Sequence, residues 1–223
     1  VLFEPDLGSS AVIFIVALSI MFIAGAPIKH LLVIFSLGIS VFVLMILTVP
    51  WRMKRILSFM NPWETYQEEG WQLSHSLIAF GRGDWFGVGL GESLQKLHYL
   101  PDAQTDFIFA IIAEELGLLF CIFLVFVFSF LVFKCFYIGR LARHAQYYLS
   151  SYIAYGAGIC IALHVFINIG VSSGMLPTKG ITLPFISFGG TNLLLMFALI
   201  ALVLRINFEI SESSIIKNKI LNV

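Results

Sequence analysis

Charge is scarce in this chain. Asp, Glu, Lys and Arg make up 12% of its 223 residues, about half the share of an average soluble domain. Thirteen basic residues balance thirteen acidic ones, leaving no net charge. That balance excludes a basic face built to neutralise phosphate backbones, so nucleic acid is not an expected partner. Cysteine is also rare: Cys121, Cys135 and Cys160 are odd in number and lie in or beside apolar runs, which gives neither a disulfide framework nor a zinc site. Five histidines show no HExxH or paired ligand spacing, so no dedicated metal cage and no resident cofactor are expected. What the chain does have is apolar surface. At 59% hydrophobic residues, too little polar material remains to cover a soluble fold.

The apolar residues are arranged in long uncharged runs. Twenty-two residues separate Asp6 from Lys29, 21 lie between His30 and Arg52, and 18 between Glu115 and Lys134. About 20 apolar residues in a helix cross a bilayer core of about 30 Å. Two further runs follow, and the expected spans are 8–26, 31–50, 108–133, 149–171 and 183–204. The first is no signal peptide, because it lacks a basic leader and four more spans follow it. The expected fold is an all-α integral membrane bundle of five transmembrane helices with a long loop at 52–105, and a segment upstream of Val1 is anticipated.

Basic residues in the connections set an expected orientation. Lys29, then Lys134, Arg140 and Arg143, then Arg205, Lys217 and Lys219 share one side. The positive-inside rule assigns that side, with the tail 205–223, to the cytoplasm, and 52–105 to the exterior. Arg52, Lys54 and Arg55 run against the rule.

The segment 52–105 holds eleven charges, and a connection of this length is ordinarily functional or disordered. Its many aromatic and aliphatic residues argue for order. Glu64 to Phe80 has helical spacing and suits an amphipathic surface helix; forming one wall of a headgroup site is the functional alternative. Gly81-Arg82-Gly83-Asp84-Trp85-Phe86-Gly87-Val88-Gly89-Leu90-Gly91 matches neither GxGxxG nor GxxxxGK[ST], which removes a nucleotide loop. Two readings stay open: a backbone nest for a lipid diphosphate beside Arg82, or a plain turn.

In Tyr99-Leu100-Pro101-Asp102-Ala103-Gln104-Thr105-Asp106 the chain enters the third span. Thr105 is a candidate cap and Asp106 is expected in the first helical turn, where the dipole favours an ionised carboxylate. Glu114 and Glu115 lie deeper, and carboxylates at membrane depth are functional candidates by default. On an unbroken helix Glu114 falls eight residues, about 12 Å, beyond Asp106, too far for the paired carboxylates of a retaining glycosidase. The arrangement fits one acid acting as base with Glu114 shaping the cavity below. From Ser172 to Gly190, two prolines and four glycines interrupt helix, as in a re-entrant cavity wall. Lys179 is the basic residue there, either snorkelling or facing the cavity. Asn168 suits a helix–helix hydrogen bond.

Three stretches together resemble one family: Glu4-Pro5-Asp6-Leu7-Gly8, AFGRGDWFGVGLGESLQKLHYLPDAQTDFIFAIIAEELG from Ala79 to Gly117, and NIGVSSGMLPTKGITLPFISFGG from Asn168 to Gly190. They resemble the SEDS family of bacterial cell-wall proteins, its division branch rather than its elongation branch, over nearly the whole chain. The resemblance implies the C-terminal half of a ten-helix fold in the bacterial cytoplasmic membrane, acting at the division septum. It implies a peptidoglycan glycosyltransferase that polymerises lipid II, working with a class B penicillin-binding transpeptidase and other divisome proteins. Asp106 matches the family acid that deprotonates the acceptor sugar, and Lys179, Arg82 and Lys96, in that order, are the expected cations for the departing diphosphate. A divalent cation sharing that charge fits the same scheme. A lipid II flippase and a non-catalytic scaffold are the alternatives.

Overall fold

The structure, a computed structural model, describes residues 7–66 and 70–221; Glu4, Pro5 and Asp6 of the first family stretch lie outside them. Among the described residues every regular element is helical: α1 (Leu7–Ile23), α2 (Ile28–Leu47), α3 (Pro50–Met60), α4 (Trp71–Gly83), a π-helical turn (Gln95–Tyr99), α5 (Ile108–His144), α6 (Tyr148–Ser172) and α7 (Gly190–Leu221). Four helices, α2, α5, α6 and α7, are long and apolar enough to cross a membrane, and α1 adds a shorter apolar one. The chain is a multi-pass membrane protein.

Helix α6 is the hub, packed against α5, α1 and α7. Small residues bring it close to its neighbours, as expected where lipid supplies no hydrophobic drive between helices. A Cβ on Gly158 would sit 3.0 Å from that of Cys135, and one on Gly139 3.0 Å from the Tyr155 ring. Ser151 Oγ donates to the Gly139 carbonyl at 2.8 Å. Phe109, Ala113, Cys121 and Phe128 of α5 meet Ile161 and Val165 of α6 and Met196 of α7 in the main core. Large apolar side chains such as Leu32, Val33, Phe126 and Phe197 remain exposed, the surface that acyl chains cover.

Several boundaries differ from expectation. The last helix starts at Gly190, leaving Leu183–Gly189 irregular. Pro184 removes a donor and Phe185 takes a positive φ of 65°, so helix is not sustained there. The expected tail from residue 205 continues α7 as helix to Leu221. Within 52–105 the chain folds into α3, α4 and the π-helical turn rather than an open loop. The helix sought in Glu64 to Phe80 begins at Trp71 and is a packed wedge rather than a surface cap. Leu73, Ser74, His75, Ser76 and Ala79 are buried, α4 lies against α5, and Ser76 Oγ donates to the Ser172 carbonyl of α6 at 2.6 Å.

Helix α5 is interrupted. Gly117 has φ 77° and ψ 178°, and the turn after α4 inserts into the gap. Val88 and Gly89 amides donate to the Glu114 and Glu115 carbonyls at 2.9 and 3.0 Å, while Leu118 and Leu119 amides donate to Asp84 and Trp85 carbonyls at 2.9 and 3.2 Å. These four bonds pair backbone groups freed by the break with protein partners, as backbone at membrane depth requires.

A candidate active site at the Asp106 turn

Asp106 lies two residues before α5, in a turn rather than in the helix. Asp102 adopts φ 53°, and its carbonyl accepts the amides of Thr105, Asp106 and Phe107 at 3.1, 3.0 and 3.3 Å. Thr105 does not cap the helix; its hydroxyl donates back to Asp102, and the cap position is Phe107 with no side-chain bond. The turn closes on itself, so the start of α5 shifts to Ile108 and Asp106 is placed by loop contacts.

Those contacts come from α6 and the irregular segment before α7. Asn168, 1% exposed, donates through Nδ2 to the Asp106 carbonyl at 2.8 Å and to the Ile181 carbonyl at 2.7 Å. Ser187 Oγ donates to the Thr105 carbonyl at 2.5 Å and accepts the Leu183 amide at 2.7 Å. The Phe188 amide donates to the Gln104 carbonyl at 2.9 Å. These bonds seat the segment carrying Lys179 against the Asp106 turn. A Cβ on Gly180 would lie 2.9 Å from Asp106 Oδ2, so the carboxylate rests over the glycine following Lys179. Asp106 and Lys179 are both half-buried. Sequence reasoning gave Asn168 a helix–helix role and missed that it ties two loops together; a buried asparagine in an apolar helix was the available signal.

The other expected site residues form a second cluster around the α5 break. Glu114 is fully buried. Arg82 Nη1 donates to its Oε1 at 2.8 Å, the Ser93 hydroxyl to its Oε2, and the Leu94 and Gln95 amides at 3.2 and 3.4 Å. Glu114 therefore faces protein rather than a cavity, and anchors the π-helical turn. Lys96 Nζ donates to Glu115 Oε1 at 2.7 Å. Each glutamate thus answers a cation from the expected diphosphate set, although the Arg82 and Lys96 side chains keep 36% and 33% exposure.

The glycine-rich segment is consumed in packing. A Cβ on Gly83 would fall 1.9 Å from the Ala113 carbonyl oxygen, and one on Gly87 2.2 Å from that of Glu115. The amides of Gly87, Val88 and Gly89 already donate to backbone carbonyls, so they form no phosphate nest. Among the described residues no group of three or more His, Cys, Asp or Glu is placed to hold a metal ion.

The family model described as cell cycle protein, covering FtsW, RodA and SpoVE, matches residues 1–212. The chain belongs to the FtsW/RodA/SpoVE family. Relatives named probable peptidoglycan glycosyltransferase FtsW include that of Saccharophagus degradans, 49% identical over 96% of this chain and 55% of the relative. That of Hydrogenovibrio crunogenus is 47% identical over 95% and 54%, and that of Escherichia coli O157:H7 46% identical over 92% and 50%. This FtsW/RodA/SpoVE chain spans about half the length of the curated relatives it matches. Its fold is similar to a chain in a solved peptidoglycan synthase complex that coordinates polymerization and crosslinking, with a TM-score of 0.70 and 24% identity over 94% of this chain and 57% of that one.

Proposed function

We propose that this chain carries the catalytic half of a peptidoglycan glycosyltransferase that polymerises lipid II during septal wall synthesis. Asp106 acts as general base and takes the proton from the acceptor C4 hydroxyl. The oxygen then bonds to the donor's anomeric carbon with inversion, while the bond to undecaprenyl diphosphate breaks and the leaving group departs with the electron pair. A positioned base contributes about 10²- to 10⁴-fold, so the developing diphosphate charge needs its own stabilisation. Lys179 supplies it first, and Arg82 and Lys96 contribute through the exposed part of their side chains. Glu114 acts indirectly, by holding Arg82 and the turn that bears Lys96. A divalent cation would share the task of neutralising the diphosphate charge; chelation followed by readdition tests it.

The observation that carries this reading is the seating of the Asp106 carboxylate over Gly180, next to Lys179. It brings an acid and a cation from segments 73 residues apart in sequence to one end of the helices. The names of the relatives support the reaction class. The related complex couples polymerization to crosslinking, which is consistent with a crosslinking partner for this chain, here a class B transpeptidase among other divisome proteins, and the basic residues at the opposite connections support an exterior site with a cytoplasmic C-terminus.

The test is glycan synthesis from purified lipid II by the full-length protein with its transpeptidase partner. Asp106→Asn is expected to lower polymer yield at least about 10²-fold. Undiminished polymer would overturn the assignment and turn attention to lipid transport or scaffolding.

A further inference from the structure

Helix α4 holds the approach to the Asp106 turn at two points. At its first residue, Trp71 Nε1 donates to the Tyr99 carbonyl at 2.7 Å. One turn on, the buried His75 ring lies between two polar side chains. Its Nδ1 donates to Gln95 Oε1 at 2.7 Å, while its Nε2 accepts the Tyr66 hydroxyl at 3.0 Å. The rings of Trp71, Tyr66 and Tyr99 surround it, with centroids 4.2, 5.4 and 6.2 Å from that of His75.

Gln95 and Tyr99 are the two ends of the π-helical turn, so α4 grips both. Such turns are rare and frequent at functional sites. This one depends on outside partners: Glu114 accepts the Leu94 and Gln95 amides from one side, and His75 holds the Gln95 side chain from the other. The Gln95 carbonyl in turn accepts the Leu100 amide at 3.0 Å. Leu100 packs with Ala103 and Phe107 in a core shared with Ala79 of α4 and Val171 of α6. Asp102, whose carbonyl closes the Asp106 turn, lies within that packed stretch. An unbroken path of buried hydrogen bonds and core contacts therefore runs from His75 to Asp106. A buried imidazole and carboxamide cost free energy unless paired. What the pair supplies is direction, because a satisfied buried polar network fixes one arrangement where an apolar contact allows several.

We propose that His75 is a positioning residue for the glycosyl transfer: through Gln95 it sets the π-helical turn, and through that turn the placement of Lys96 and of the Asp106 carboxylate. This rests on the glycosyltransferase reading and deepens it. A misplacement of about 1 Å costs about 10²-fold in rate, so loss of the clamp is read in kcat rather than in KM.

The experiment measures steady-state kinetics on lipid II for the full-length protein with its transpeptidase partner, together with thermal unfolding and amide hydrogen exchange over residues 95–107. His75→Leu and Gln95→Leu are each expected to lower kcat about 10- to 100-fold with little change in KM, and to speed exchange of the Leu100 and Asp106 amides. The double variant is expected to fall no lower than either single one, because the two side chains act as a unit. His75→Asn, whose side-chain amide reaches the place of Nδ1, is expected to recover most of the rate. Ser74→Ala is the control. It removes a neighbouring α4 bond, from Ser74 Oγ to the Pro62 carbonyl at 3.0 Å, that leads away from the turn, and a lower unfolding midpoint with wild-type kcat is expected. Gln95→Leu keeps the histidine and carries the test if His75→Leu unfolds. Wild-type kcat in the folded leucine variants, additive losses in the double variant, or an equal kcat loss in Ser74→Ala overturns the positioning role. Asp106→Asn separates the two readings. If it keeps polymer, the base assignment fails and exchange decides the clamp alone: faster exchange in His75→Leu upholds it, and unchanged exchange overturns it.

Discussion

The Asn168 side chain holds the main chain of Asp106: its Nδ2 donates to the Asp106 carbonyl at 2.8 Å from across the α6 interface. The same nitrogen donates to Ile181, so one buried amide fixes the spacing between the candidate base and the segment bearing Lys179. Asn168→Ala leaves two carbonyls without that donor. A loss of about 1–3 kcal/mol in stability is expected, together with a fall in polymerisation kcat larger than any change in KM. Steady-state kinetics on lipid II checks this; an unchanged kcat would show that the Asp106 turn holds its place without the amide.

The break in α5 depends on glycine at two facing positions. Gly117 has φ 77° and Gly87 φ 78°, and a Cβ on Gly117 would lie 2.4 Å from the Gly87 nitrogen. Gly117→Ala and Gly87→Ala are each expected to cost at least about 1–3 kcal/mol from backbone strain alone. Gly81→Ala provides the contrast. It lies in α4 with nothing within 4 Å of a Cβ, and a gain of about 0.5–1 kcal/mol is expected. Unfolding midpoints in detergent measure all three.

The two glutamates beside the break differ in what their removal does. Glu114 is fully buried and accepts from Arg82, the Ser93 hydroxyl and two backbone amides, and each buried donor left without its acceptor costs about 1–3 kcal/mol. Glu114→Ala is therefore expected to destabilise the protein strongly and to free the π-helical turn. The Lys96–Glu115 pair is partly exposed, where such pairs contribute about 0–1 kcal/mol, so Lys96→Ala is expected to unfold nearly as wild type. Chemical denaturation compares them directly.

The sidedness proposed from the basic residues is measured by thiol labelling. Cys121 and Cys135 are buried, 3% and 1% exposed, and a water-soluble maleimide is expected to leave both unreacted in the folded protein. With the half-buried Cys160 replaced by serine, Asn61→Cys is expected to label in intact spheroplasts and Gln146→Cys only after permeabilisation. Both native positions are exposed, and the reverse pattern would invert the orientation.

Hydropathy by itself determined that this chain is a helical membrane bundle, because a run of uncharged residues long enough to cross lipid is a local property of the sequence. It also pointed to Asp106, Glu114 and Lys179, since charge next to or inside such runs is costly and therefore conspicuous. What each charge meets is a different matter. Arg82 finds Glu114 across 32 residues, and Asn168 reaches Asp106 across 62. The glycines around Gly87 leave a backbone nest and a plain turn equally open until α5 breaks at Gly117 and packs against them. Arg52 and Arg55 come to line one pocket with Lys179 only when α3 packs beside the segment before α7. These relationships exist only once remote segments are packed together, because hydrogen bonds and ion pairs are short-ranged and their partners are chosen by the tertiary fold.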